Sequence, residues 1–135
     1  VRGRLANVDG VHLFAPIDYA ELVQAVRRCR FVLTDSGGLQ EEAPILGKPV
    51  LVMRNETERP EGILAGTLEL VGNNHVSIVA GARRLLEDEE HYARMARAHN
   101  PYGDGRAAVR ITQWLLARLR GAQAPEPFVF DADAA

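Results

Sequence analysis

The sequence predicts an α/β fold in which a parallel sheet carries helices on both faces. Four short apolar runs, Val11 to Ala15, Phe31 to Thr34, Pro49 to Met53 and Thr67 to Val71, alternate with segments of helical periodicity. The runs are close to continuously apolar rather than alternating, the pattern of strands buried on both sides. At 135 residues, 47% hydrophobic and 25% charged, the chain suits one domain with a sizeable core.

Each element has a local reason. Val11 to Ala15 reads as a buried strand closed by Pro16, and Asp18 is placed to cap a helix carrying Tyr19, Leu22, Val23 and Val26 at helical spacing. Phe31 to Thr34 is the second strand and Gly38 to Leu46 its following helix, with Gly47 positioned as a left-handed C-cap. Pro49 to Met53 is the third strand. A short helix over Pro60 to Leu64 begins on proline at its first turn, and Thr67 to Val71 is the fourth strand. Thereafter the pattern is helical. Val76, Val79, Leu85 and Leu86 line one face, and Tyr92, Met95 and Ala96 continue it after a break near Asp88. The Asn100 to Gly105 turn draws unusual backbone angles from Gly103 and Gly105, with Asp104 expected to cap the last helix. That helix spans Ala107 to Leu119, with Ile111, Leu115 and Leu119 on one stripe. Residues 1–120 are expected to form the domain. The Ala-, Pro- and acid-rich residues 121–135 are expected to be a disordered tail.

Composition narrows the function. A formal charge of −2 predicts no general attraction to nucleic acid or to an anionic membrane, and no apolar run approaches the roughly 20 residues of a membrane span. The basic residues are almost all Arg, Lys48 being the only lysine, a skew better explained by coding bias than by a binding surface. Cys29 is the one cysteine, so no internal disulfide forms. It reads as a packed thiol in a reducing, cytoplasmic setting. The four histidines, His12, His75, His91 and His99, show no ligand spacing, so no metal is expected. His99, beside the Asn100 turn, reads as stabilising that turn or as an interdomain residue rather than a catalytic one. The chain starts Val1-Arg2-Gly3-Arg4 without Met and enters a strand almost at once, which points to a piece of a larger protein.

The most informative stretch is Leu33-Thr34-Asp35-Ser36-Gly37-Gly38-Leu39-Gln40-Glu41-Glu42-Ala43-Pro44. A strand runs into two glycines and then a helix, leaving backbone N–H groups free at the positive end of the helix dipole. Gly37 and Gly38 allow a bulky anion to approach the backbone, and Ser36 adds a hydroxyl donor; an ordinary helix cap is the competing reading. Glu42 follows one helical turn later, where its carboxylate can accept from two vicinal ribose hydroxyls. Glu41 points roughly 100° away around the helix and reads as solvated or domain-facing. Arg59 carries a planar fork suited to a diphosphate. Arg54 is explained equally well by a salt bridge, and Glu58 as an orienter of Arg59 or as a surface acid.

Beyond the glycine turn come Gly47 to Arg54, Thr57-Glu58-Arg59-Pro60-Glu61, Ala65-Gly66-Thr67 and Asn100-Pro101-Tyr102-Gly103-Asp104-Gly105. In this order they resemble the C-terminal part of the non-hydrolysing UDP-N-acetylglucosamine 2-epimerases, over roughly Val11 to Leu116. The resemblance implies the C-terminal domain of a GT-B-like fold, two Rossmann-like domains facing across a cleft. It implies that Ser36, Gly37, Gly38 and Arg59 hold the diphosphate of UDP and Glu42 its ribose. Backbone near Ile17 would read the uracil, with Leu22 beside it. Close relatives often carry Phe where Leu22 stands, so apolar contact is kept and stacking lost. Tyr19 reads as a core or edge residue.

The same resemblance implies conversion of UDP-N-acetylglucosamine to UDP-N-acetylmannosamine without metal or cofactor. The catalytic acid/base carboxylates of that family belong to an N-terminal domain absent from this sequence, and a functional histidine to an earlier part of the C-terminal domain. The chain alone is therefore expected to bind UDP weakly, to lack turnover and to need that domain as partner. It is also expected to form a homodimer through exposed apolar surface such as Trp114 and Leu116. A UDP-sugar glycosyltransferase half and a stand-alone UDP-binding or regulatory module are the alternatives. The Thr-Glu-Arg-Pro and Asn-Pro-Tyr-Gly-Asp-Gly motifs speak against the first.

Overall fold

A computed structural model describes residues 2–129 of the chain. In order, the elements are α1 (Arg2–Leu5), α2 (Tyr19–Arg28), β1 (Val32–Thr34), α3 (Gly37–Ile45), β2 (Val50–Val52), α4 (Pro60–Leu64), β3 (Leu68–Leu70), α5 (His75–Glu87), α6 (Glu89–Arg97) and α7 (Ala107–Arg120). Among the described residues the sheet is three-stranded, parallel throughout, with order β1-β2-β3. Val32, Leu33 and Thr34 pair with Val50, Leu51 and Val52, which pair in turn with Leu68, Glu69 and Leu70.

The central strand explains the layering. Side chains alternate across a strand, so Val50 and Val52 face one way and Leu51 the other, and all three are fully buried. Val50 and Val52 pack with Val26 of α2, Ala43 of α3 and Leu68, while Leu51 packs with Val71, Leu85 of α5 and Met95 of α6. Helices therefore cover both faces, as the continuous apolar run requires. Burying each such side chain contributes roughly 1.5–3 kcal/mol.

The caps follow the sequence. Asp18 accepts from the Glu21 amide at 2.8 Å to start α2, and Asp88, between α5 and α6, accepts from the His91 amide at 2.8 Å. Gly47, at φ 67°, closes α3: its amide donates to Pro44 and that of Lys48 to Ala43. The Cys29 thiol donates to the Val26 carbonyl at 3.1 Å, and burial pushes its pKa up, so it stays a packed thiol.

Three expectations are corrected. Val11 to Ala15 is not a strand but exposed irregular chain. A strand persists only through its ladder, and among the described residues no strand lies beside this segment. Asp104 is not the N-cap of α7. It accepts from the Arg106 amide at 3.0 Å and forms a two-bond pair with Arg110 that holds its carboxyl below the usual range. Tyr19 is not a core residue: it is 65% exposed on α2, at the edge of a groove between α2 and α3. Residues 122–129 carry no helix or strand, and Phe128 is half-buried with its ring beside the Arg110 guanidinium. Residues 130–135 of the expected tail lie outside the described residues.

Candidate functional site

Parallel strands bring β1, β2 and β3 to one carboxyl edge, where α/β sheets place their ligands. The turn after β1 and the loop after β2 both lie there. Ser36 is the N-cap of α3, yet its hydroxyl makes no bond to the helix. Its amide is held instead by the Thr34 hydroxyl at 3.0 Å. Gly37 and Gly38 then open α3 with no side chain to shield the amides.

Three polar groups border this turn. A methyl built on Gly37 would lie 3.9 Å from Nη2 of Arg59, and one built on Gly38 would lie 3.9 Å from Oε1 of Glu42 and 4.0 Å from the Ser36 hydroxyl. Ser36, Gly37, Gly38, Glu42 and Arg59 therefore converge. Leu22 and Glu42 also share a groove of about 120 Å³ between α2 and α3, bordered by Tyr19 and Ile45. Ile17 lies apart from it, in a shallow hollow with Phe14 against α2.

What holds Arg59 is a polar network that the sequence reading missed. Gln40, fully buried, donates from Nε2 to the Ser36 carbonyl at 3.2 Å. Its Oε1 accepts from the Thr57 hydroxyl at 2.5 Å, whose oxygen in turn accepts from the Arg59 amide at 3.1 Å. The glycine turn and the arginine loop are thereby tied through one amide side chain. The signal was present: Gln40 shares the buried face of α3 with Ala43 and Pro44, three and four residues on.

Glu41 has a partner that its place on the helix does not announce: its carboxylate, 40% exposed, accepts from Nε of Arg59, which arrives from a loop 18 residues along the chain. This hydrogen bond, and then the charge of Glu41, push the guanidinium pKa further up. Nη1 of Arg59 donates to the Glu58 carbonyl at 3.2 Å. The Glu58 carboxylate stands 3.6 Å from Arg54, so both of those residues are engaged on the surface. The Tyr102 hydroxyl is buried beside Gly62, with no well-formed hydrogen bond among the described residues. Burial, with Glu61 and Glu41 nearby, pushes its pKa up to about 12. Among the described residues no group of three or more His, Cys, Asp or Glu side chains is arranged to hold a metal ion, and no helix is long and apolar enough to cross a membrane.

A glycine turn opening a helix at the strand ends of a parallel sheet, with an arginine edge and a carboxylate beside it, is the layout at which α/β folds commonly take phosphate-bearing ligands. The chain belongs to the UDP-N-acetylglucosamine 2-epimerase family, whose model matches residues 1–116. The UDP-N-acetylglucosamine 2-epimerase of Salmonella typhimurium is 56% identical over 111 residues, covering 82% of this chain and 30% of that protein. The Escherichia coli K12 enzyme is 54% identical over the same extent. Among solved structures, the S. aureus MnaA–UDP structure superposes with TM-score 0.89 at 42% identity, over 95% of this chain and 35% of its own. The Neisseria meningitidis UDP-GlcNAc 2-epimerase bound to UDP-GlcNAc gives 0.78 at 46% identity, over 85% and 32%. The chain spans about 30% of the length of the curated relatives it matches. The fold is thus part of the C-terminal domain of a GT-B-like architecture.

Proposed function

We propose that this chain is the nucleotide-holding part of an enzyme that interconverts UDP-N-acetylglucosamine and UDP-N-acetylmannosamine. The observation that carries the reading is the convergence of Ser36, Glu42 and Arg59 on the Gly37–Gly38 turn. Ser36 and the free amides of α3 take the diphosphate with Arg59, and Glu42 takes the ribose hydroxyls. The groove between Leu22 and Glu42 lies next to that carboxylate and suits an apolar contact with the base. Backbone near Ile17 remains the proposed reader of the pyrimidine edge.

The chemistry asks one thing of these groups. Eliminating UDP from the sugar to give a 2-acetamidoglucal puts negative charge on the departing diphosphate. Preorganised amides and a fixed guanidinium stabilise that charge as it forms and retain UDP for re-addition. Proton transfer at C2 needs an acid and a base beside the ring. We assign those to an N-terminal domain outside this sequence, so the chain alone binds UDP weakly and does not turn over substrate. The complete enzyme is proposed to be a cytoplasmic homodimer.

Calorimetric titration of the chain with UDP tests this. Saturable binding should weaken about ten- to a hundred-fold in Arg59→Ala and clearly in Glu42→Ala, since a hydrogen bond to a charged group contributes about 1.5–3 kcal/mol. A folded chain that binds no UDP, or variants that bind as tightly as the wild type, would overturn the assignment.

A further inference from the structure

We propose that Glu41 is a positioning residue, one that aims the Arg59 guanidinium at the phosphate turn before the nucleotide arrives. The inference rests on the nucleotide reading above and adds to it a residue outside the ligand-contacting set.

The argument starts from the donors of Arg59. A guanidinium has five N–H groups in a rigid fork. Nε is taken by the Glu41 carboxylate and Nη1 donates to the Glu58 carbonyl, so two sides of the fork are anchored. The remaining Nη2 is the nitrogen nearest Gly37. Glu41 thus holds the fork by its back edge and leaves its front edge to the turn. The supporting element is α3 itself: Gly37 and Gly38 open it and Glu41 follows one turn later, so cradle and anchor move as one body. The Arg59 amide is fixed independently through Thr57 and Gln40, which leaves the side chain as the part that Glu41 sets.

Electrostatics gives the idea a sharp sign. A carboxylate beside a diphosphate site is by itself repulsive, so removing it would strengthen binding if charge were all that mattered. If Glu41 preorganises Arg59, removing it frees a long side chain that must then be ordered on binding, and affinity falls. The two outcomes have opposite direction.

The experiment is a double-mutant cycle on the 135-residue chain, with UDP and inorganic pyrophosphate as probes, each variant first checked for an unchanged circular dichroism spectrum. Glu41→Ala should lower affinity for both probes at least five-fold. Glu41→Gln, which keeps an acceptor for Nε, should stay within about three-fold of the wild type. In an Arg59→Ala background Glu41→Ala should cause no further loss, and relief of its repulsion can only tighten binding there, because Glu41 helps the site only through the arginine. Unchanged or tighter binding in Glu41→Ala, or an equal loss in both backgrounds, would overturn the proposal while leaving the nucleotide site standing. Absence of binding by the folded wild type would overturn the nucleotide reading and this proposal with it. Should Glu41→Ala fail to fold, Glu41→Leu, which keeps the bulk and offers Nε no acceptor, takes its place in the cycle. A loss of at least five-fold that vanishes without Arg59 supports the proposal, and no loss, or one that persists without Arg59, overturns it.

Discussion

Gln40 is a neutral amide with no surface exposure, and both its ends are in use: Nε2 on the Ser36 carbonyl, Oε1 under the Thr57 hydroxyl. Replacing it by Leu keeps the bulk and removes both bonds. The Thr57 hydroxyl then loses its acceptor beside a packed core, and the Ser36 carbonyl keeps only the Gln40 amide, which together cost about 1–3 kcal/mol. The loop from Thr57 to Arg59 is also released from the glycine turn. Gln40→Leu should therefore lower the chemical-denaturation midpoint and weaken UDP together, whereas Arg59→Ala should weaken UDP with little change in stability. Parallel urea melts and titrations separate them. A Gln40→Leu protein as stable as the wild type would mean that the network contributes nothing. Glu41 teaches a related lesson. A helical wheel gives its angle about α3 correctly, but not that Arg59 would come to meet it from a distant loop. Ser36, Glu42 and Arg59 could be singled out in the sequence because each is a residue type suited to phosphate or ribose. The side chains that hold them in place carry no such chemical signature.

At the scale of elements, close approach of α5 to the sheet depends on a missing side chain. A Cβ added at Gly81 would sit 2.7 Å from Cγ1 of Val71 and about 3.5 Å from Leu51, with Val71 and Leu51 both in the core behind the sheet. Alanine normally improves a helix by about 1 kcal/mol relative to glycine. Here that gain meets overpacking that costs roughly 1–3 kcal/mol. Gly81→Ala should consequently be destabilising, read as a lower thermal midpoint; a raised midpoint would show that α5 can shift outward freely. The same face is clamped by Arg30, which donates to the Leu85 carbonyl at 2.9 Å, pairs with Glu89 and stacks 4.2 Å from the Tyr92 ring centroid. Most elements could be read from the sequence because their causes are local: Asp18 and Gly47 at helix ends, Pro60 at a first turn. The face of α5 differs from the one expected: Val76 and Leu86 are exposed, and Ile78, Gly81, Ala82 and Leu85 face the core. Val11 to Ala15 could not be read locally. Its apolar composition marks what the segment would bury, but strand formation depends on a neighbour, and composition is silent about neighbours.

At the scale of the whole molecule, two stretches present large apolar side chains to solvent. In α7 no side chain is buried, and Ile111, Trp114, Leu115, Leu116 and Leu119 are each at least 41% exposed. Val8, Val11, Leu13 and Phe14 add a second exposed apolar stretch near the start. Beyond the pairing with β2, the other edge of β1 has no strand beside it among the described residues. In isolation such faces seek each other, because contiguous exposed apolar patches drive association. The chain should thus self-associate with rising concentration. Ile111, Leu115 and Leu119 recur at four-residue spacing on one stripe of α7, so they identify the surface to test. Sedimentation velocity across a hundred-fold concentration range should give a weight-average mass rising above the 14.8 kDa monomer. Leu115→Ser with Leu119→Ser should hold it near the monomer. These substitutions lie away from Gln40 and Arg59, so UDP binding should survive them unchanged. A wild-type chain that stays monomeric throughout would mean that α7 finds cover within its own molecule, and loss of UDP binding in the double variant would tie α7 to the nucleotide site after all.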